Sequence, residues 1–536
     1  MPQPLQRRLS TDRFSNSKLA PQWMVPVLLA SPFFIWVAVK YLALDFWYDE
    51  AFTLHFFAFR PLKETVTNYQ FPNNHIFFNL VNNLYIRLTG IESLGQLIES
   101  PERLRILMLV YASVTLFYVY RLCTRFLNAA IACLAIIILV STIPFFNFAV
   151  QIRGYILSMM LLVMFLYYAW SFEQNRTTGS AAMVAATTML ALYAIPLNLY
   201  FLMAAATFYL FSVGFQLWKK EGKHPIDGPG PVFLRKELPA AFQDLAIVLF
   251  VVLGISAAVV AYWPVFYLVI NNRFVESRGW FHFHTLTTVA PRTIEYFFSQ
   301  RYALAAFALL GMLYFAWSSV RKRHLPFARY TACCICLLLL PFIFSFVRGD
   351  RPFLRVFVNL TPVFAIFVSL NVYYGYLMLH RWMTRLHPAW WILLAALYCQ
   401  VTFAAELHAI DSQLYKDIQR GQTTQNIYYN YYQAHFRPKK LLRQFKERHF
   451  DKNTPVFTGY YFDAATLPIY CHHYQLSCRE IKLYEEELFS AAPRIHVITA
   501  QPFNCMRKIT DRYPAADCTV LNDRLGYHNI LQCRIR

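Results

Sequence analysis

Long apolar stretches alternate with short polar ones from residue 22 to residue 406. A run of about 18–23 apolar residues is long enough to cross hydrocarbon as a helix, which satisfies its own backbone. The pattern predicts eleven such spans, near 22–44, 104–120, 128–148, 155–172, 180–196, 198–217, 243–270, 302–320, 330–347, 356–378 and 389–406. The segment 45–103 is too polar to span and too long to be a turn. Apolar positions from Ile76 to Leu88 recur at helical spacing, which predicts helices lying flat on the membrane. Beyond residue 406 the pattern changes. Pro438–His449 reads as an amphipathic helix and Asp463–Tyr470 as another. Pro455–Gly459, Ile495–Ile498, Cys518–Leu521 and Asn529–Gln532 read as strands. The expected fold class is an all-α polytopic membrane protein of about 11 transmembrane helices with a small C-terminal α/β domain. The expected boundaries are a leader at 1–21, a transmembrane domain at 22–406 and a tail domain at 407–536.

Composition supports the spans: 57% of residues are hydrophobic and 15% are charged. The net charge of +21 raises nucleic acid as a partner, but its distribution argues against one. Lys and Arg gather in the short loops at 121–127, 173–179, 217–242, 321–329 and 380–388, and in the leader at Arg7, Arg8, Arg13 and Lys18. That bias marks the cytoplasmic face. The leader is polar and reads as cytoplasmic, with no cleavable signal peptide apparent. Counting spans then places 45–103, Arg153, 271–301, Arg348–Arg355 and the tail together on the non-cytoplasmic face.

Five of the eleven cysteines lie in the tail, where an oxidising compartment permits disulfides. Cys471–Cys478 and Cys505–Cys518 are the expected pairs, with Cys533 left over, although sequence alone leaves connectivity open. Cys471-His472-His473 offers half a zinc site with no second half at finger spacing.

The chemistry centres on Asp45-Phe46-Trp47-Tyr48-Asp49-Glu50, directly after the first span. Carboxylates beside hydrocarbon are costly, which invites a functional reading, against the alternative of a helix cap facing water. Arg153, Arg273, Arg278, Arg351 and Arg355 are cations on the face where the charge rule disfavours them. Each could hold a phosphate with paired donors or snorkel to lipid headgroups. Trp47, Tyr48, Trp263 and Trp280 could stack on a sugar, or belong to the interfacial aromatic belt. His282 and His284 read as interfacial.

Trp47-Tyr48-Asp49-Glu50-Ala51-Phe52 resembles the first loop of the C-type-fold glycosyltransferases that use polyprenyl-phosphate sugars. These include the protein O-mannosyltransferases, the aminoarabinose transferases of lipid A and the lipopolysaccharide-core transferases. Pro72-Asn73-Asn74-His75, Gln151-Ile152-Arg153-Gly154-Tyr155, and Arg355-Val356-Phe357 with Pro362 match further elements in order, over about residues 20–370. The resemblance implies a transfer of one sugar from a polyprenyl phosphate to a glycan, lipid or protein acceptor at a bacterial inner membrane. It implies Asp49 as general base, and Glu50 as support for the acceptor or the local geometry. Asn74, His75, Arg153, Tyr155, Arg273, Arg278, Arg351 and Arg355 are the implied substrate-binding residues. His75 could instead join Glu50 around a divalent cation, or be a packed helix residue with a polar tip. The aminoarabinose transferases have Lys-Pro-Pro where Asn73-Asn74-His75 stands, which disfavours that specificity and shifts phosphate binding to an Arg. The competing readings are a lipid-linked oligosaccharide ligase and a polyprenyl-lipid flippase or transporter. The latter sets its charges within spans and shows repeats, and no repeat is visible here.

Overall fold

The computed structural model describes residues 24–535 except 70, 72–73, 222–233, 272–279, 299–300, 322–324, 350–351, 381–387, 422–434, 461, 491 and 523. The leader, Pro72, Asn73, Arg273, Arg278 and Arg351 lie outside the described residues.

Helix α1 is Met24–Tyr41, and the short α2, Tyr48–Thr53, continues into a wider turn at Leu54–Ala58. Then come α3 (Ile76–Leu88), α4 (Glu102–Phe126), α5 (Ala129–Val140), α6 (Ile143–Val150), α7 (Gly154–Asn175), α8 (Thr178–Ala194), α9 (Leu199–Glu221) and α10 (Leu234–Tyr262). The second half holds α11 (Ala290–Phe298), α12 (Tyr302–Val320), α13 (Ala328–Arg348), α14 (Thr361–His380) and α15 (Pro388–Gln419). Among the described residues eight helices are long and apolar enough to cross a membrane, and the bent pair α5–α6 makes a ninth. The shorter apolar helices α1 and α8 occupy the other two stretches, so every expected span is helical.

Of the eight unbroken spans α7 and α14 are the most buried, and with the buried pair α5–α6 they form the centre of the bundle. Peripheral α12 and α15 turn Leu309, Leu313, Val320, Leu394 and Val401 outward, as lipid-facing helices must. Without a hydrophobic drive between helices in lipid, close packing needs small residues. Gly311 of α12 shows this: a Cβ there would strike the backbone of Asn371 on α14.

Two segments depart from the simple pattern. The third span breaks at Ser141-Thr142, and α6 leaves α5 at 67°. Pro144 in the first turn of α6 cannot continue a hydrogen-bond ladder across the break. The carbonyl of Ser141 is taken up by the guanidinium of Arg301, whose charge is matched by Glu406 at 3.3 Å. Gln400 donates to the Ser141 hydroxyl at 3.1 Å. The last helix runs on to Gln419, past the expected end at 406. Polar Asp411, Gln413 and Lys416 continue it, because a helix need not stop where hydrophobicity does.

The C-terminal part adds α16 (Pro438–Arg448), α17 (Phe462–His473), α18 (Pro502–Arg512) and a five-stranded sheet. Its strands are β1 (Val456–Thr458), β2 (Cys478–Glu480), β3 (Arg494–Thr499), β4 (Ala516–Val520) and β5 (Asn529–Ile535), in the order β2-β1-β3-β5-β4. β1 lies parallel between β2 and β3, while β5 runs antiparallel to β3 and β4. Cys471 bonds Cys478, tying α17 to β2. The expected Cys505–Cys518 pair is corrected: Cys518 bonds Cys533. The two stand directly opposite on β4 and β5, which brings their Cα atoms to 4.1 Å. Cys505 is instead a free thiol on the buried face of α18. The Cys471 disulfide also removes the thiolate that half a zinc site required.

Candidate active site

The acidic pair divides into two roles. Glu50 sits in the third position of α2, and its carboxylate reaches back to accept from the Trp47 N–H at 2.8 Å. The side chain is fully buried and pairs with Arg105 of α4 at 3.0 Å. Its other oxygen accepts from the Ile152 N–H at 2.9 Å. Arg105 also donates to the carbonyls of Tyr41, Leu42, Leu44 and Asp45. The Arg105–Glu50 pair thus gathers the end of α1 and the start of α2 through the guanidinium, and the turn before α7 through the carboxylate. Both oxygens of Glu50 are occupied by donors, so a cation shared by Glu50 and His75 does not fit this geometry.

Asp49 is the preceding residue, about 100° round the helix, so it leaves α2 in another direction. Its carboxylate is 3.0 Å from the Arg355 guanidinium and 3.7 Å from that of Arg153. Arg153 is nearly sealed, with 2% of its side chain exposed, whereas Arg355 keeps 26%. Arg153 is further fixed by the Thr53 hydroxyl at 3.0 Å and by the Tyr155 ring beneath it. Arg355 enters on a 3-10 turn, Leu354–Leu360, that precedes α14. Phe357 of that turn stacks on Phe342, and Asn359 donates to Asn198 at 2.6 Å.

His75 lies against the same wall. Its Nδ1 accepts from the Gly154 N–H at 2.9 Å, and its ring meets Tyr155 edge-on at 5.2 Å. Burial, then the charges of Arg153 and Arg355, hold its pKa well below the usual imidazole range. It is therefore neutral, with the proton on Nε2. A Cβ on Gly154 would lie 2.5 Å from His75 Nδ1, so any larger residue there must displace the imidazole.

Of the residues expected to bind substrate, Arg153, Tyr155, Arg355 and His75 thus surround Asp49 or its immediate partners. Asn74 is turned inward. Its amide donates to the carbonyl of Thr65 at 2.9 Å and its oxygen accepts from Asn79 at 2.8 Å, which closes the loop before α3. Trp263 and Trp280 are largely exposed, as an aromatic belt would be. Trp47 and Tyr48 belong to neither expected group. Both are buried, with Trp47 against Phe436 and Tyr527 and the Tyr48 hydroxyl on Asp463 and His528. Arg105, Arg301, Asp463 and His528 went unnoticed in the sequence. The one available signal was Arg105 itself, a charge a few residues into an apolar helix, which requires a partner.

No family model matches the chain, and no curated protein does. Solved structures do. The chain is similar to ArnT from Cupriavidus metallidurans in the apo state, with a TM-score of 0.52 and 12% identity over 95% of this chain and 97% of that one. It is equally similar to ArnT from the same organism bound to undecaprenyl phosphate, with a TM-score of 0.51 and 12% identity over 94% of this chain and 97% of that one. At this identity the likeness speaks for architecture, and it runs nearly end to end on both sides. This chain is an integral, multi-pass membrane protein with the C-type glycosyltransferase fold and a small C-terminal α/β domain.

Proposed function

We propose that the chain is a membrane glycosyltransferase that moves a single sugar from a polyprenyl-phosphate carrier to a glycan, lipid or protein acceptor, with Asp49 as general base. The observation that carries this reading is the meeting of the Asp49 carboxylate with Arg153 and Arg355, brought from two distant loops. The acceptor oxygen attacks C1 of the sugar from the face opposite the phosphate, and the configuration inverts. The hydroxyl proton passes to Asp49 as the C–O bond forms. The C1–O bond to phosphate breaks, and its electron pair leaves on the phosphate. Arg355, the more accessible guanidinium, binds that phosphate with paired donors, and Arg153 adds fixed positive charge behind it. A donor phosphate competes with Asp49 for Arg355, so donor binding itself frees the carboxylate to act as a base. Neutral His75 presents an N–H to substrate without adding charge. Glu50 serves the geometry of α2 through Arg105. Arg273, Arg278 and Arg351 are carried forward as further donor-binding candidates.

The fold supports a polyprenyl-linked donor by analogy with the undecaprenyl phosphate that the similar ArnT holds. The charge bias of the loops supports a cytoplasmic leader at 1–21, with the loop 45–103 and the domain 407–536 on the non-cytoplasmic face. Purified protein incubated with a panel of polyprenyl-phosphate monosaccharides, read by mass spectrometry, names the sugar. A polyprenyl-diphosphate oligosaccharide in the same panel tests the ligase alternative. Asp49→Asn should lower turnover by about 10²–10⁴-fold with the fold intact; near-normal turnover removes Asp49 as the base. Arg355→Ala should raise the donor KM about tenfold to hundredfold, from the loss of about 1.5–3 kcal/mol in a charged hydrogen bond. An unchanged donor KM rules Arg355 out as the phosphate site.

A further inference from the structure

Four consecutive residues ahead of Asp49 are each held by the C-terminal domain. The Lys439 N–H donates to the Asp45 carboxylate at 2.9 Å, and the Lys439 ammonium stands 3.4 Å from it. The Tyr470 hydroxyl donates to the carbonyl of Phe46 at 2.9 Å. The ring of Trp47 lies between Phe436 and Tyr527, with centroids at 5.1 and 5.5 Å. The Tyr48 hydroxyl donates to Asp463 at 2.6 Å and stands 2.9 Å from His528 Nε2, which is itself 3.2 Å from the same Asp463 oxygen. Asp463 is anchored in turn by the Thr499 hydroxyl at 3.1 Å and the Ala500 N–H at 2.9 Å, at the end of β3.

An apolar seam would hold a domain in place at lower cost than this. A buried polar network is costly unless every member is satisfied, and when satisfied it selects one relative placement of its parts. The Tyr48, Asp463 and His528 side chains are all buried and come from α2, α17 and the residue before β5, and of their polar atoms His528 Nδ1 alone lacks a partner among the described residues. Helix α2 has six residues, too few to hold its own direction. Its orientation is set from outside, by Arg105 on one side and by the C-terminal domain on the other.

We propose that the C-terminal domain is a working part of the transferase site, and that Tyr48, locked by Asp463 and His528, is a positioning residue that aims the Asp49 carboxylate. This rests on Asp49 acting as the base. The partners fix the protons: Tyr48 donates to Asp463, so His528 Nε2 carries a hydrogen shared by the Tyr48 oxygen and Asp463. Replacing the phenol by a phenyl ring keeps the packing against Phe436 and Tyr527 and removes the hydroxyl's bonds, those to Asp463 and His528 and one to Tyr527.

The test uses the full chain in detergent or nanodiscs with its donor, and compares Tyr48→Phe, Asp463→Asn, His528→Gln and His528→Ala. Tyr48→Phe and Asp463→Asn should lower kcat about tenfold or more, because small misplacements of a reacting group are expensive in rate. The donor KM should stay within about twofold, since the phosphate contacts are untouched. His528→Gln, which keeps an N–H donor, should recover most of the rate that His528→Ala loses. Tyr48→Phe and Asp463→Asn at wild-type kcat overturn the proposal, and so does a loss that matches the fraction of protein failing to fold. Asp49→Asn in the same assay separates the two readings. Inactive Asp49→Asn with a fully active Tyr48→Phe removes the positioning role alone, whereas active Asp49→Asn removes the base and this proposal with it.

Discussion

At the scale of single residues, neighbours in sequence have opposite fates. Asp49 faces the two guanidiniums and is partly open, while Glu50 is sealed against Arg105. The acidic pair is visible in the sequence, but its division of labour is not, because the 100° step between them acquires meaning only from what surrounds α2. Gly154 is the converse, a residue whose role is a missing atom. Gly154→Ala should cost about 1–3 kcal/mol by overpacking against His75, and should weaken activity by moving Arg153 beside it. Thermal unfolding together with the donor KM checks this, and a variant with both unchanged shows that the wall can yield.

At the scale of elements, apolar length located every span, because crossing hydrocarbon is a requirement that each helix meets on its own. The break inside the third span was hidden for the same reason: α5 and α6 are both apolar, and hydropathy carries no bend. What makes the bend tolerable is supplied by Arg301, which caps the freed carbonyl of Ser141 while paired with Glu406. Arg301→Leu should therefore destabilise by about 3–5 kcal/mol, since it leaves Glu406 buried and uncompensated. The double variant with Glu406→Leu should recover part of that loss in a thermal unfolding assay. A single variant as stable as the parent would mean that the pair is dispensable. The tail shows a related limit. Four of its strands, three-residue β1 included, were readable in the sequence, but β2 was not, and the Cys518–Cys533 bond follows from a strand register that no spacing rule contains.

At the scale of the whole molecule, the domain that follows the last span folds back onto the loop that follows the first. Tyr48 and Asp463 are 415 positions apart in the chain. The pairing requires both to be on one side of the membrane, and the loop charges lead us to propose that this is the non-cytoplasmic side. Lys452 is exposed on the C-terminal domain, whereas the native free thiols are buried or half-buried in helices. Lys452→Cys should thus be labelled by a membrane-impermeant maleimide added from the non-cytoplasmic side. Labelling that requires access to the cytoplasm would reverse the orientation.

The sequence by itself determined the class of molecule, the number of apolar helices, the α/β character of the tail and the carboxylate and arginines worth attention. These are properties of composition, period and short motifs, which act over a few residues at a time. Tertiary structure alone decided which carboxylate is buried and which is presented, where Arg105 and Arg301 find their partners, which cysteines meet, and that the tail holds α2. Each of these depends on two groups far apart in the chain arriving within about 3–4 Å, the range over which hydrogen bonds and ion pairs act.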